Sequence, residues 1–511
     1  MTTEHGVISS FQQRRQLEEA VTRMAATMSD RELRQLTADL VATYPQTMLM
    51  ATLVRHLGAS NSQLRGGLGH LAAQLPPDDA VNTLRQVVAD RQRPAIERTT
   101  AALIMDRYLN APAPAALMAD LAGDDEAPFQ SLLDAVEEGR SNRYILLEYV
   151  MQMQQHPAET AFMVMGMIDR LPSADRSELL RLIAQDARLP VARAALDRLG
   201  LLAADEPSAL RALHTLQFAL PPTRADQVER TLRKLQFGGR RYTPPAPINW
   251  RALVTPPDAG GFLSVWFVHP ATGDASDGIL LGFVLSLFTG MLQFSGGEEM
   301  EAALLPEVHA LGDVFKVEVG RGALLAMQEM PFDLGRWLLR TALAVHWARE
   351  QVQPLPNEYY LYNDQLWEYA VPQIDAALAQ RWAEPTAPPD AIPDPDALGE
   401  AAEALMDHPA MQGWLLWSLA LWETVEPSAR QRHSPGTLVG LVLRELAEAP
   451  EKDDLLQAMA TGLRALSLWL ASSGDTLHAD HAGLFVRWFA RLPVAENPLL
   501  ELLLLRGLQI M

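Results

Sequence analysis

The stretch RPAIERTTAALIMDRYL, residues 93–109, opens on a proline and then spaces apolar residues three and four apart behind Arg98. Pro94 suits the start of a helix, where its missing N–H costs nothing, and Ala101 and Ile104 lie three and six positions after the arginine, where a helical face would bury them. The register recurs outward along the chain. Arg34 leads Thr37 and Leu40, Arg65 leads Leu68 and Leu71 within SNSQLRGGLGHLAAQLP (60–76), and Arg193 leads Leu196 and Leu199 within LPVARAALDRLGLL (189–202). The intervals between these arginines are 31, 33 and 95 residues, the last close to three of the shorter ones, which is the mark of an internal repeat. From Gln16 to about Phe237 the pattern is one of short amphipathic helices. Their starts are marked by Ser29-Asp30, Ser60-Asn61, Pro77-Asp78, Pro94, Ser141-Asn142, Pro157, Ser173, Pro190 and Pro222, residues that cap or open helices.

The segments 60–76, 93–109 and 189–202 resemble the second helices of HEAT or armadillo repeats, in which a proline or cap opens the helix and small residues let it pack closely. The resemblance covers residues 16–237 and implies six or seven helix pairs stacked as an α-solenoid. No pair can bury its apolar stripe alone, so stacking creates a continuous core and a long concave surface. In such families that surface binds other proteins. The repeat arginines are expected to pair with acids of neighbouring repeats, and the Met-rich stretches 48–54 and 162–171 to pack between helices, although methionines also make adaptable grooves.

After Phe237 the character changes. GGRRYTPPAPINW is a Gly- and Pro-rich loop, and WRALVTPP, GFLSVWFVHP and GILLGFVLSL read as successive strands, with DVFKVEVG as a fourth. The segment EEMEAALLPEVHALG reads as a helical connection, and helix is expected again from about Gly322, strongest over 333–351. A small α+β module with a three- or four-stranded sheet is therefore expected over 240–382. Residues 278–297 carry no charge, but their five glycines favour a buried strand over a membrane span. A Pro- and acid-rich linker (383–400) follows, and then an all-α domain (401–511). The fold class is mainly α: an N-terminal α-solenoid, the central module and a C-terminal helical domain.

The 511-residue chain has no cysteine, which excludes disulfides, thiolate metal sites and a cysteine nucleophile. Its formal charge is −21, and the acidity is uneven: residues 1–240 hold 26 basic against 29 acidic side chains, residues 241–511 hold 16 against 34. Such a balance argues against nucleic acid or an anionic membrane as partner. The N-terminus lacks a basic segment followed by an apolar one, so a cytoplasmic location is expected.

Just before the module the charge inverts, with five cations between Arg230 and Arg241. Arg233, Lys234, Arg240 and Arg241, together with His269 at the end of a strand, are the candidate residues for an anion or an acidic partner. Asp274 and Asp277 lie in the turn after His269, where they could assist a general base or bond their own backbone. Ser295 in FSGGEEM (294–300) fits neither a nucleophile elbow nor a phosphate loop, and Glu298 and Glu299 are expected to open a helix. His478, Asp480 and His481 in HADH have metal-type side chains without a matching second motif. No cofactor motif is present, and no catalytic residue or metal is assigned. The aromatic stretch 357–369 and the set Trp414, Trp417 and Trp422 read as core, with docking surfaces as the alternative. The functional expectation is a non-enzymatic scaffold or adaptor that binds another protein, in an oligomeric state the sequence leaves open. The alternative is a divergent enzyme or a small-ligand or anion-binding protein with its site at the module.

Overall fold

The computed structural model describes residues 16–25, 30–59, 61–111, 126–270, 277–319, 322–349, 353–383, 394–415, 433–489 and 491–510. The chain divides into two compact units, one of residues 1–179 with 188–191 and one of 180–187 with 192–511.

In the first unit the helices include α1 (Asp30–Thr43), α2 (Gln46–His56), α3 (Ser62–Gln74), α4 (Pro77–Ala89), α5 (Ala95–Leu109), α6 (Glu126–Gly139), α7 (Tyr144–Gln154) and α8 (Ala158–Ile168). Their starts follow local chemistry. Asn61 accepts the Leu64 N–H at 2.8 Å, Asn142 accepts the Tyr144 N–H, and Pro77 occupies the first turn of α4. Helix α1 packs on α3 and α3 on α5, while α2 packs on α4, and consecutive helices also touch. Such two-layer packing is compatible with helical repeats. Its core includes Leu33, Leu49, Leu53, Leu68, Leu84 and Ile104. Small residues bring helices close: a Cβ on Gly69 of α3 would stand 2.4 Å from the Tyr108 ring.

The residues placed at three and six after the register arginines are all buried: Thr37, Leu40, Leu68, Leu71, Ala101, Ile104, Leu196 and Leu199. The arginines themselves vary. Arg65 reaches Asp134 of α6, 69 residues on, at 2.7 Å, Arg98 caps the Val88 carbonyl at the end of α4, and Arg193 is exposed.

Helices α9 (Ser173–Ile183) and α10 (Leu189–Leu202) follow, and then α11 (Pro207–Ala219) and α12 (Pro222–Phe237). The second unit is built round one antiparallel sheet of β1 (Arg251–Val254), β2 (Phe262–His269), β3 (Asp277–Ser286), β4 (Gly290–Glu301), β5 (Val314–Val319) and β6 (Ala323–Met330), in the order β4-β3-β2-β1-β6-β5. The four strands read from the sequence form where they were expected. The count of three or four is corrected to six, because β4 and β6 carry misleading local signals. Strand β4 contains Gly296, Gly297, Glu298 and Glu299, which read as a turn and a helix start; it is an edge strand paired only with β3 and bulged opposite Gly278–Leu280. Strand β6, ALLAMQEM, is made of good helix formers, yet it inserts between β1 and β5 and bonds on both sides. The connection after β4 keeps only a short 3₁₀ turn at 302–304, and helix resumes at Phe332 rather than near Gly322.

Helix α13 (Phe332–Ala348) lies on one face of the sheet, over Ala252, Phe267 and Phe283. Gly335 permits this seat, since a Cβ there would approach Ala252 Cβ to 2.6 Å and the Phe267 ring to 2.9 Å. The other face buries Leu253, Val268, Leu280 and Met327 beneath partly buried Trp266, Leu305, Phe315 and Val317. Arg251 pins the segment after β4 there, donating to Glu329 at 2.9 Å, to the Glu307 carbonyl at 2.7 Å and to the Pro306 carbonyl.

Helix α14 (Asn357–Trp367) carries the aromatic stretch, and its Tyr359, Tyr362 and Trp367 are buried, as is Tyr369. Arg181, 1% exposed, holds α14 by donating to the carbonyls of Tyr360 and Leu361 and to Asn363 Oδ1 at 2.7–2.9 Å. The remaining helices are α15 (Ala376–Trp382), α16 (Pro395–Asp407), α17 (Pro435–Glu448), α18 (Lys452–Ser472), α19 (Thr476–Trp488) and α20 (Pro498–Ile510). Helix α16 takes up the end of the expected linker, with Asp394 as its cap. Helix α18 donates Trp469 Nε1 to the Val254 carbonyl, and Trp414 Nε1 donates to that of Pro257. Trp414 is core; Trp417 and Trp422 lie outside the described residues. No helix among the described residues is long and apolar enough to cross a membrane.

Candidate functional site

Within the first unit, α2 and α4 lie side by side and leave an open groove of about 640 Å³. The spacing of three and four that buries Leu49 and Leu53 on one side of α2 turns Met50, Ala51 and Val54 toward the groove. Helix α4 supplies Asn82, Thr83 and Gln86 in the same way, while Leu84, Val87 and Val88 are core. Gln46 donates to Asp79 at 2.7 Å and ties the two helix starts together. The groove is thus polar along α4 and, beyond Gln46 and Thr47 at the helix start, apolar along α2, with Asp79 its one charged lining residue. The Met-rich stretch 48–54 divides its labour, with Leu49 and Leu53 in the core and Met50 on the groove.

The cationic candidates occupy the end of α12 and the loop after it, and all are exposed. Arg233 pairs back along its own helix with Glu229. Arg240 stands 3.7 Å from Asp205, and Lys234 shares with both a shallow cleft of about 410 Å³. Among the described residues the side chains of Lys234 and Arg241 have no hydrogen-bond or ion-pair partner. Asp205 supplies a carboxylate to the cleft, which halves its positive charge. His269 ends β2 opposite Ile279, and its ring lies 5.1 Å from that of Trp250. Trp250 in turn donates to Tyr369 Oη at 2.7 Å. Asp277 opens β3, and Asp274 lies outside the described residues. Glu298 accepts from Gln365 at 2.7 Å, and Ser295 pairs with Gly282 across the strands; neither stands in a catalytic arrangement.

Three metal-type side chains converge at another place. Asp475 caps α19: its Oδ1 accepts the His478 N–H at 3.2 Å, and its Oδ2 meets His478 Nδ1 at 2.7 Å. His408, at the end of α16, brings Nε2 to 3.3 Å from the same Oδ2. The two imidazole centroids are 4.7 Å apart. Arg506 brackets His408 by donating to the carbonyls of Met406 and Met411, and the Ala410 N–H donates to His408 Nδ1 at 3.1 Å. Burial, reinforced by His478, lowers the His408 pKa below the ordinary 6.5. The bonds from His478 and the nearby His408 lower that of Asp475, outweighing the opposite effect of burial. A neutral imidazole thus faces a carboxylate.

The HADH motif contained one of these residues with the wrong companions. Asp480 pairs with Arg381 at 2.8 Å, and the His481 ring centroid is 6.1 Å from that of His478. His408 is separated from Asp475 by 67 residues, so no local spacing could reveal the set. The nearest signal was the capping aspartate itself, three residues before a histidine. No family model, curated protein sequence or solved structure matches this chain.

Proposed function

We propose that this protein is a non-enzymatic scaffold that binds another protein through its helical array, with the groove between α2 and α4 as the point of contact. The reading rests on one observation: a groove of about 640 Å³ whose α2 side runs from polar Gln46 and Thr47 to apolar Met50, Ala51 and Val54 and whose α4 side is lined by Asp79, Asn82, Thr83 and Gln86. An apolar stripe beside amide and hydroxyl groups suits an amphipathic helix from a partner, which buries one face and hydrogen-bonds along its flank. Met50 adapts its shape to such a guest because its side chain is unbranched and polarizable. HEAT or armadillo membership and a cytoplasmic setting belong to the same reading.

The test is site-specific photo-crosslinking in the native cell from Ala51 and from Asn82, with exposed Arg193 as the control position. A discrete cross-linked protein from both groove positions, absent from the control and lost in the double variant Val54→Arg/Thr83→Arg, is the expected result. The same pattern from all three positions, or none from the groove, would remove the groove from the interaction.

A further inference from the structure

We propose that His408, Asp475 and His478 bind a single divalent transition cation of the zinc class. Two imidazole nitrogens and a carboxylate oxygen form a donor set suited to such ions, and three protein ligands leave one position for water or a ligand. The ligand atoms all lie within 4.8 Å of one another. Metal–ligand bonds of about 2.1 Å place tetrahedral donors about 3.4 Å apart. The His408–Asp475 edge, at 3.3 Å, already meets that requirement, and the His478–Asp475 edge, at 2.7 Å, must open by a fraction of an ångström.

Support around the ligands favours a site over a chance encounter of surface groups. Asp475 Oδ1 is held by the His478 N–H, which leaves Oδ2 turned to both rings. Arg506 fixes the backbone on either side of His408. Oriented ligands of this kind are what a metal requires. The side chains are 18–28% exposed, enough for a hydrated cation to reach them.

The cation changes the ring protons, which a hydrogen-bonded cluster alone would not: on His478 the proton of Nδ1, now 2.7 Å from Asp475 Oδ2, must pass to Nε2, and on His408 the reverse occurs. The Ala410 N–H now occupies His408 Nδ1, so the ring proton sits on Nε2, 3.3 Å from Asp475 Oδ2. A cation on Nε2 takes the lone pair there; the proton moves through solvent to Nδ1, and the Ala410 N–H loses its acceptor. The imidazole stays neutral, so this transfer releases no proton.

The experiment is zinc titration of the full chain after chelation, read by calorimetry and by histidine nitrogen NMR. Expected are one zinc per chain, a shift of the His408 proton from Nε2 to Nδ1, and faster exchange of the Ala410 amide. Asp475→Asn keeps the helix cap and removes the charge, and His478→Gln removes a ligand without touching the core. Each should weaken binding beyond the roughly 10- to 100-fold that losing a supporting partner costs. Affinity unchanged in both variants would place zinc at other histidines and overturn the proposal, as would titration without binding or binding without the tautomer shift.

Discussion

The helical array of the first unit and the sheet module of the second solve the same problem, burying apolar faces, with opposite use of distance along the chain. In the array a helix touches its chain neighbour and the helix after that, so Leu68, Leu71, Ala101 and Ile104 are buried by residues a few tens of positions away. In the module β1 bonds to β6, with Ala252 opposite Met330, and α14 is held by Arg181, about 180 residues earlier. The array is thus assembled from local helix contacts, and the module depends on a few long-range fixings. Damage should therefore be graded in the one and concentrated in the other.

The largest effect is expected at Arg181. Replacement by Ala strips two carbonyls and Asn363 of a buried partner, which should cost about 3–5 kcal/mol, measured by urea denaturation of the full chain. Lys would not restore it, since one ammonium cannot reproduce the guanidinium fork. A loss below about 1 kcal/mol would break the contrast, because the module would not depend on this fixing. Next comes the array core: Leu68→Ala, at a fully buried position, should cost about 2–5 kcal/mol. Hydrogen exchange should place the loosening in α1, α3 and α5, the helices in contact there.

Two glycines sharpen the comparison. Gly335→Ala drives a Cβ into Ala252 and Phe267, both fully buried, and should destabilise by about 1–3 kcal/mol. For Gly69→Ala the nearest atoms are those of the partly exposed Tyr108 ring, which can swing aside. The gain in helix propensity, up to about 1 kcal/mol, should nearly offset that movement. Equal thermal shifts in the two variants would show that the array is packed as rigidly as the module.

A smaller effect follows from acid. Burial lowers the pKa of His214 and His346 below 6.5, and each ring meets a backbone carbonyl, of Tyr369 at 3.0 Å and of Gln353 at 2.8 Å. The unfolded chain therefore takes up protons first as pH falls. Their contribution is whole above the ordinary imidazole range and declines as pH drops from 6.5 toward the lowered folded values. Urea midpoints at about pH 7.5 and about pH 5, followed by tryptophan fluorescence, should show the loss, and His214→Gln should flatten part of it.

Reading by periodicity succeeded where the partner was near. The arginine register located eight buried positions in the order the structure places them, and Asn61 and Pro77 marked helix starts that form as expected. It also found β1, β2, β3 and β5, whose β-branched and aromatic residues announce a pleated surface. It failed at β6, where Ala, Leu, Met, Gln and Glu favour helix until two neighbouring strands supply hydrogen bonds. It failed again at β4, whose glycines and glutamates hide an edge. For the sites, the cations of 230–241 were legible as charge but not as pairs with Glu229 and Asp205. The histidine of HADH was legible without His408 and Asp475.

By itself, then, the sequence determined the helices, their caps and which of their residues face inward, because a helix closes its hydrogen bonds within four residues and shows its buried face as a period. Only the tertiary structure decided the sixth strand, the seat of α13 over Gly335, the clasp of Arg181 on α14 and the meeting of His408 with Asp475 and His478. Each of these depends on groups brought together across long stretches of chain, and a strand or a cluster of donors has no energy of its own until its partner arrives.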